Sequence, residues 1–146
     1  MTSTLREFDV PGRPVPQGSL SSMRHPSGAI VTPQKRDVLV YRNDIRAAWG
    51  DPSPTKEPVM LEVEFHFRRP ALHYLPAGRR RAEPALRVDA PEYMSHAPDL
   101  DKLVRSVMDA LTDYAYVDDR QVVDLQAIKY WSEADSTHIS LQEVNP

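Results

Sequence analysis

The sequence predicts an α+β fold: a mixed β-sheet with two main helices packed on one face. Three observations lead there. Val59 to Arg68 alternate apolar and polar side chains, the period of a strand with one buried face. Leu100, Leu103, Val104, Val107, Met108 and Leu111 recur at helical spacing and form the apolar stripe of an amphipathic helix. Along the chain the elements read strand, hairpin, helix, strand, long loop, helix, strand, strand, and two helices against one sheet is an α+β layering.

Each element has its own signals. Residues 4–10 read as a first strand, with Leu5 and Phe8 as its apolar members. Residues 11–18 (PGRPVPQG) form a loop, because three prolines and two glycines prevent a regular element. Residues 19–31 hold a short hairpin around Pro26-Ser27-Gly28. Thr32 caps the first helix and Pro33 takes its first position. Val38, Tyr41, Ile45 and Ala48 supply its buried face, Trp49 closes it, and Gly50 and Pro52 end it. In the strand from Val59 to Arg68, Val59, Leu61, Val63, Phe65 and Phe67 face one way, and Met60, Glu62, Glu64, His66 and Arg68 the other.

Residues 70–98 carry five prolines, the triple arginine Arg79, Arg80, Arg81, and little periodicity. So long a connection is read as a mobile functional loop or a disordered one. Pro98 disfavours helical geometry at Ala97, so the second helix begins near Asp99, a good N-cap. Asp109 falls on its solvent side. Residues 121–131 read as a strand with Val123, Leu125 and Ala127 on one face. Residues 137–144 read as another, with Ile139 and Leu141 inward, and a turn at 132–136 joins the two as a hairpin. The helices cover one face of the sheet. The other is partly exposed, or covered by a second subunit.

Composition bounds the function. A chain of 146 residues is read as a single domain, 1–146, with the long loop at 70–98. There is no cysteine, which excludes disulfides, thiolate zinc sites and a cysteine nucleophile. No run is apolar enough to span a membrane, and MTSTLREFDV is not a signal peptide, so a cytoplasmic protein is expected. The net charge of −3 argues against nucleic acid, but its distribution does not. Residues 1–88 hold 14 Lys and Arg against 9 Asp and Glu, whereas residues 89–146 hold 4 against 12. A basic half suits a polyanion, and an acidic pole suits divalent cations.

The acidic pole has a pattern. Asp99 and Asp101 open the second helix, and Asp118 and Asp119 follow its end, just before a strand. The same aspartates serve as a cap, a partner for the helix dipole and turn residues. Two pairs bracketing one helix also form a set of hard oxygen ligands if they meet in space, suited to Mg²⁺ or Mn²⁺ rather than zinc. That points to metal-assisted phosphodiester chemistry. Asp101 and Arg105, four residues apart, share a helix face. His66 and His138 read as ordinary surface or core histidines. His96, the histidine nearest to Asp99, is a candidate phosphate contact.

Asp99-Leu100-Asp101-Lys102-Leu103, then Asp109-Ala110-Leu111, then Asp118-Asp119-Arg120-Gln121-Val122-Val123 resemble the RusA-type Holliday junction resolvases, small endodeoxyribonucleases of phages and prophages. The loop from Pro14 to Ser19 and Lys129 extend the likeness. The resemblance implies an α+β homodimer, in a bacterial or phage-infected cell, that cuts four-way DNA junctions with Mg²⁺ or Mn²⁺ by placing nicks in opposed strands. It places the essential carboxylates at Asp99, Asp101 and Asp119, with Asp118 as a further ligand. A catalytic lysine of the family falls on Arg105. Lys102, Arg105, Lys129 and the triple arginine are the expected DNA contacts. The chain departs from the family at His96-Ala97-Pro98, where basic residues are common, and at Lys102, where asparagine is common. Arg105 keeps the charge of the lysine but cannot exchange a proton near neutral pH. A non-catalytic junction binder of the same fold is the alternative. A nucleotide-sugar transferase also uses Asp-x-Asp, but this chain lacks an obvious nucleotide-binding half.

Overall fold

The structure, a computed structural model, describes residues 5–18, 23–24, 30–31, 36–76 and 84–144. Its elements are β1 (Leu5–Pro11), β2 (Met23–Arg24), β3 (Ile30–Val31), α1 (Arg36–Trp49), β4 (Val59–Arg68), α2 (Leu100–Leu111), β5 (Val122–Ser132) and β6 (Ser136–Glu143). Four strands form one mixed sheet in the order β1-β6-β4-β5. β6 is antiparallel to both β1 and β4, and β5 is parallel to β4. β2 and β3 pair separately, in line with the expected hairpin. Its turn, the cap at Thr32 and Pro33, and Arg79, Arg80 and Arg81 lie outside the described residues.

β4 sits between β6 and β5 because its alternation is the strongest in the chain. Val59, Leu61, Val63, Phe65 and Phe67 are all buried. Against them pack Leu103, Val107 and Leu111 of α2 and Tyr41 and Ile45 of α1. Tyr41 places its hydroxyl 2.5 Å from the buried Oγ1 of Thr137 on β6, so the phenol is satisfied inside the core. Trp49 closes α1 as expected. Phe8 meets its ring edge-on at 5.9 Å, and the Arg6 guanidinium lies over it at 3.9 Å. Ala48, expected inside, is exposed, because the 38, 41, 45, 49 rows already complete the apolar stripe.

The expected hairpin of β5 and β6 is not formed. The two strands lie on opposite sides of β4, and the turn between them arches over the end of β4. Arg68 N donates to Asp135 Oδ1 at 2.8 Å and Arg69 N to Ser132 O at 3.0 Å, so the arch also satisfies the end of β4. The short turn resembles a hairpin turn, but the central place goes to the strand with the most apolar surface. The register of β5 is also offset. Val59 pairs with Val122 but Met60 with Asp124, which leaves Val123 in a bulge, 61% exposed. Val122 packs on the core in its stead, and Leu125, Ala127, Lys129 and Trp131 take the helix side, opposite Leu61, Val63, Phe65 and Phe67.

The segment from 70 to 98 has no apolar period, yet its described parts fold against β5. Trp131 N donates to Glu92 O at 2.8 Å and Met94 N to Lys129 O at 3.1 Å, so residues 92–94 cover the edge of the sheet. Met94 is buried. Nearer the start of the segment, Leu75 N bonds Ala85 O and Arg87 N bonds His73 O. No helix among the described residues is long and apolar enough to cross a membrane.

Phe65 lies at the middle of this core and is fully buried. Phe65→Ala should destabilise the fold by about 3–5 kcal/mol. Glu62→Ala on the open face should cost no more than about 0.5 kcal/mol. Urea unfolding of the two variants beside the parent checks the contrast, and similar losses would refute the placement of the core.

Candidate functional site

At the N-terminal end of α2, Asp99 takes the N-cap position in an extended conformation (φ −69°, ψ 140°), but its side chain makes no capping hydrogen bond. Its carboxylate, 66% exposed, stands 3.7 Å from Lys102 Nζ. Asp101, in the first turn, is exposed as well. The positive end of the helix dipole favours both charges. Neither carboxylate is used up by the fold, so the cap reading of Asp99 holds for its backbone and not for its side chain.

Lys129 holds this end in place. Its Nζ donates to His96 O at 2.7 Å and to Pro98 O at 2.8 Å. Two of the three ammonium donors are thereby committed to the carbonyls just before Asp99. Lys129, an expected DNA contact, lies opposite Phe65 on the helix side, where a long stem crosses apolar surface and delivers a charge to polar atoms at the rim. Its parity with Leu125 and Ala127 is the sign of this in the sequence. Arg105, one turn beyond Asp101, is exposed and makes no ion pair with it among the described residues.

At the other end of α2 the chain turns sharply. Thr112 Oγ1 and the Tyr116 hydroxyl both donate to Met108 O, at 2.9 and 2.8 Å. Asp118 then caps a single 3₁₀ turn at Asp119–Gln121: its Oδ1 accepts from Arg120 N at 3.0 Å. That bond holds the carboxyl below its ordinary range, with the charge of Arg120 acting the same way. Gln121 closes the capping box by accepting from Val117 N and Asp118 N, and its amide donates to Thr55 O and Glu57 O. Asp118 is therefore occupied with its turn, whereas Asp119 is exposed beside it.

Asp118 and Asp119 border a cleft of about 410 Å³ whose other walls are Thr112, Val117, Gln17, Arg42 and Asp109. Asp109, expected on the solvent side of α2, is only 35% exposed and pairs with Arg42 of α1 at 3.3 Å. Arg42 is buried and also donates to Gln17 Oε1. Gln17 N in turn bonds Lys102 O, which fastens the proline-rich loop to α2. Periodicity places Arg42 beside the apolar row of α1, so nothing in the sequence singles it out.

The two aspartate pairs do not meet within one chain. α2, with 12 residues, separates them by about 18 Å at 1.5 Å per residue. β5 gives a second ruler: Lys129, beside Asp99, lies seven residues along the strand from Val122, about 23 Å at 3.3 Å per residue. Among the described residues no group of three or more His, Asp or Glu side chains is close enough to hold a metal ion. One chain by itself thus does not fit an ion shared by Asp99, Asp101 and Asp119, and the convergence expected around α2 is not an intrachain one.

Residues 11–142 match the family model described as Endodeoxyribonuclease RusA. The chain is also 30% identical over 142 residues to the uncharacterized protein YqaN of Bacillus subtilis strain 168, covering 95% of this chain and 96% of that one.

The Lys129 clasp has a consequence that does not depend on function. Lys129→Met should cost about 1.5–3 kcal/mol, the range for hydrogen bonds to a charged group. It should also speed amide exchange at Leu103, whose N–H bonds Asp99 O, and at Val104 and Arg105 after it, while leaving the β4 amides protected. Exchange followed by NMR or mass spectrometry checks this, and uniform acceleration across the domain would contradict a local role.

Proposed function

The chain belongs to the RusA endodeoxyribonuclease family, and we propose that it is a Mg²⁺-dependent nuclease that resolves four-way DNA junctions by paired phosphodiester hydrolysis, in recombination and repair, as a homodimer whose protomers share each site. The observation that carries this reading is the separation of two unspent carboxylate groups by the length of α2. Asp99 and Asp101 stand exposed at one end and Asp119 at the other. A second copy related by a two-fold axis sets Asp99 and Asp101 of one protomer against Asp119 of its partner, twice. Two incisions in opposed strands need two such sites. Val117, Val123 and Leu125 flank the Asp118–Asp119 turn in the chain and are 46%, 61% and 46% exposed, apolar surface suited to a protein contact.

The chemistry follows from the residue types. Carboxylate oxygens are hard donors for Mg²⁺ or Mn²⁺, and a bound ion there supplies an activated water and charge neutralisation at the phosphate. Lys129 keeps Asp99 in position from behind. Lys102 screens Asp99, and Arg105 steadies DNA phosphate by charge alone. The triple arginine of the 70–98 segment adds backbone contacts, which release counterions and make binding salt-dependent. In a bacterial or phage-infected cell, such a substrate is met in the cytoplasm.

A synthetic four-way junction with Mg²⁺, beside a linear duplex, tests the reading. The protein should cut the junction and spare the duplex. Asp101→Asn and Asp119→Asn should each bind the junction and cut it at least a hundredfold more slowly, the scale of losing a charge-stabilising group. Co-expressed and purified together, the two variants should regain about a quarter of the parental sites, because half the dimers are mixed and each mixed dimer has one intact site. Those dimers should nick one strand. A mixture as inactive as its components would place each site within one chain. A junction shift without nicks by the parent would mark a binding protein of the same fold.

A further inference from the structure

Arg42 is a buried guanidinium that neither the core nor the carboxylate pairs explain. It is 8% exposed, on α1, and among the described residues its Nη2 donates to Gln17 Oε1 and, at 3.3 Å, to Asp109 Oδ2. Its Nε is buried with no acceptor among the described residues. A guanidinium carries five N–H donors in a planar fork, and leaving such donors unpaired away from water is costly. The two-nitrogen fork that arginine can set on a carboxylate is not formed on Asp109. Here one nitrogen is shared between two side chains, and Arg42 lines the cleft that holds Asp118 and Asp119.

We propose that Arg42 binds a DNA phosphate in this cleft, at a linkage next to the one that is cut. The inference rests on the nuclease reading and adds a substrate-binding residue to it. Phosphate oxygens match the arginine fork, which a point charge such as lysine does not reproduce. Gln17 and Asp109 hold the fork from one side, and Gln17 is itself fastened to α2 through Lys102 O. Arg105 is exposed, and no described residue holds its guanidinium in this way. The volume of about 410 Å³ admits a sugar-phosphate unit. Three carboxylates around the cleft oppose a phosphate that enters without a divalent cation, so occupancy at Arg42 belongs to the metal-loaded, junction-bound dimer.

The test is a cycle between protein and substrate. Full-length parent, Arg42→Gln and Arg42→Lys are titrated with junctions that carry one methylphosphonate at each linkage flanking the branch point. Apparent Kd and single-turnover cutting in Mg²⁺ are both read. At one linkage, loss of the phosphate charge should weaken the parent at least roughly tenfold. Arg42→Gln should show a similar loss on the unmodified junction and no further loss at that linkage. Arg42→Lys should recover part of the affinity. Losses that add at every linkage would overturn the proposal, as would parental affinity in a folded Arg42→Gln. If Arg42→Gln does not fold, the parent and Arg42→Lys still decide, because a parent insensitive at every flanking linkage refutes the contact. Failure of the nuclease reading is distinguishable, since the parent then leaves the unmodified junction uncut while the binding cycle can still be read.

Discussion

The parallel pairing of β4 and β5 is the constraint on which the rest depends. Parallel neighbours cannot be joined by a tight turn, so a crossover must carry the chain back along the whole strand. Here that crossover includes residues 70–98 and α2. α2 therefore runs against the strands. Its N-terminus lies toward the later part of β5, beside Lys129, and its C-terminus leads into the start of β5 at Val122. The aspartates at the two ends of α2 are thereby held apart by the helix itself. A single chain of this topology cannot draw them together without losing the packing of Leu103, Val107 and Leu111 on β4.

The same topology decides which polar side chains support the fold and which are left over. Asp118 is occupied by its capping turn, Gln121 by four backbone groups, and Lys129 by two carbonyls. Among the described residues the side chains of Asp99, Asp101 and Asp119 hold no backbone group in this way, although each stands where a capping or turn role was available. Exposed carboxylates at rigid element ends, one of them backed by a lysine clasp, form a chemically ready arrangement. Arg42 is the converse case: a cation brought inside, with part of its hydrogen-bonding fork unanswered by the described residues.

The sheet has a second face that the helices do not cover. Glu7, Glu62, Glu64 and His138 border a cleft of about 320 Å³ there, and His66 stacks on Tyr130 at 5.4 Å. His138 lies 2.8 Å from Asp9, and His66 lies 3.1 Å from Glu64. This face is polar and internally paired, which lets it meet water. The edge at β5 is treated differently, since residues 92–94 add backbone hydrogen bonds along it.

Local pattern determined much of this protein from sequence alone. Period-two alternation in β4 and period-3.6 spacing in α2 depend on neighbours along the chain, so both elements, their buried faces and the α+β class were legible there. So were the positions of Asp99, Asp101, Asp118 and Asp119 at element ends, because caps and breakers are local as well. Strand order was not. The short turn at 133–135 suits a hairpin and an arch equally, and only competition for the sheet centre separates them. The bulge at Val123 shifts the face of one residue and is set by pairing with β4. Lys129 gained a clasp on the carbonyls before Asp99, Asp109 moved from solvent to an ion pair, and Arg42 became the wall of a cleft. Each of these outcomes comes from contacts between side chains far apart in sequence, and a one-dimensional pattern carries no distance between such residues. The separation of the carboxylate pairs belongs to the same class: the sequence shows that they bracket a helix, and only the packed helix shows that it keeps them apart.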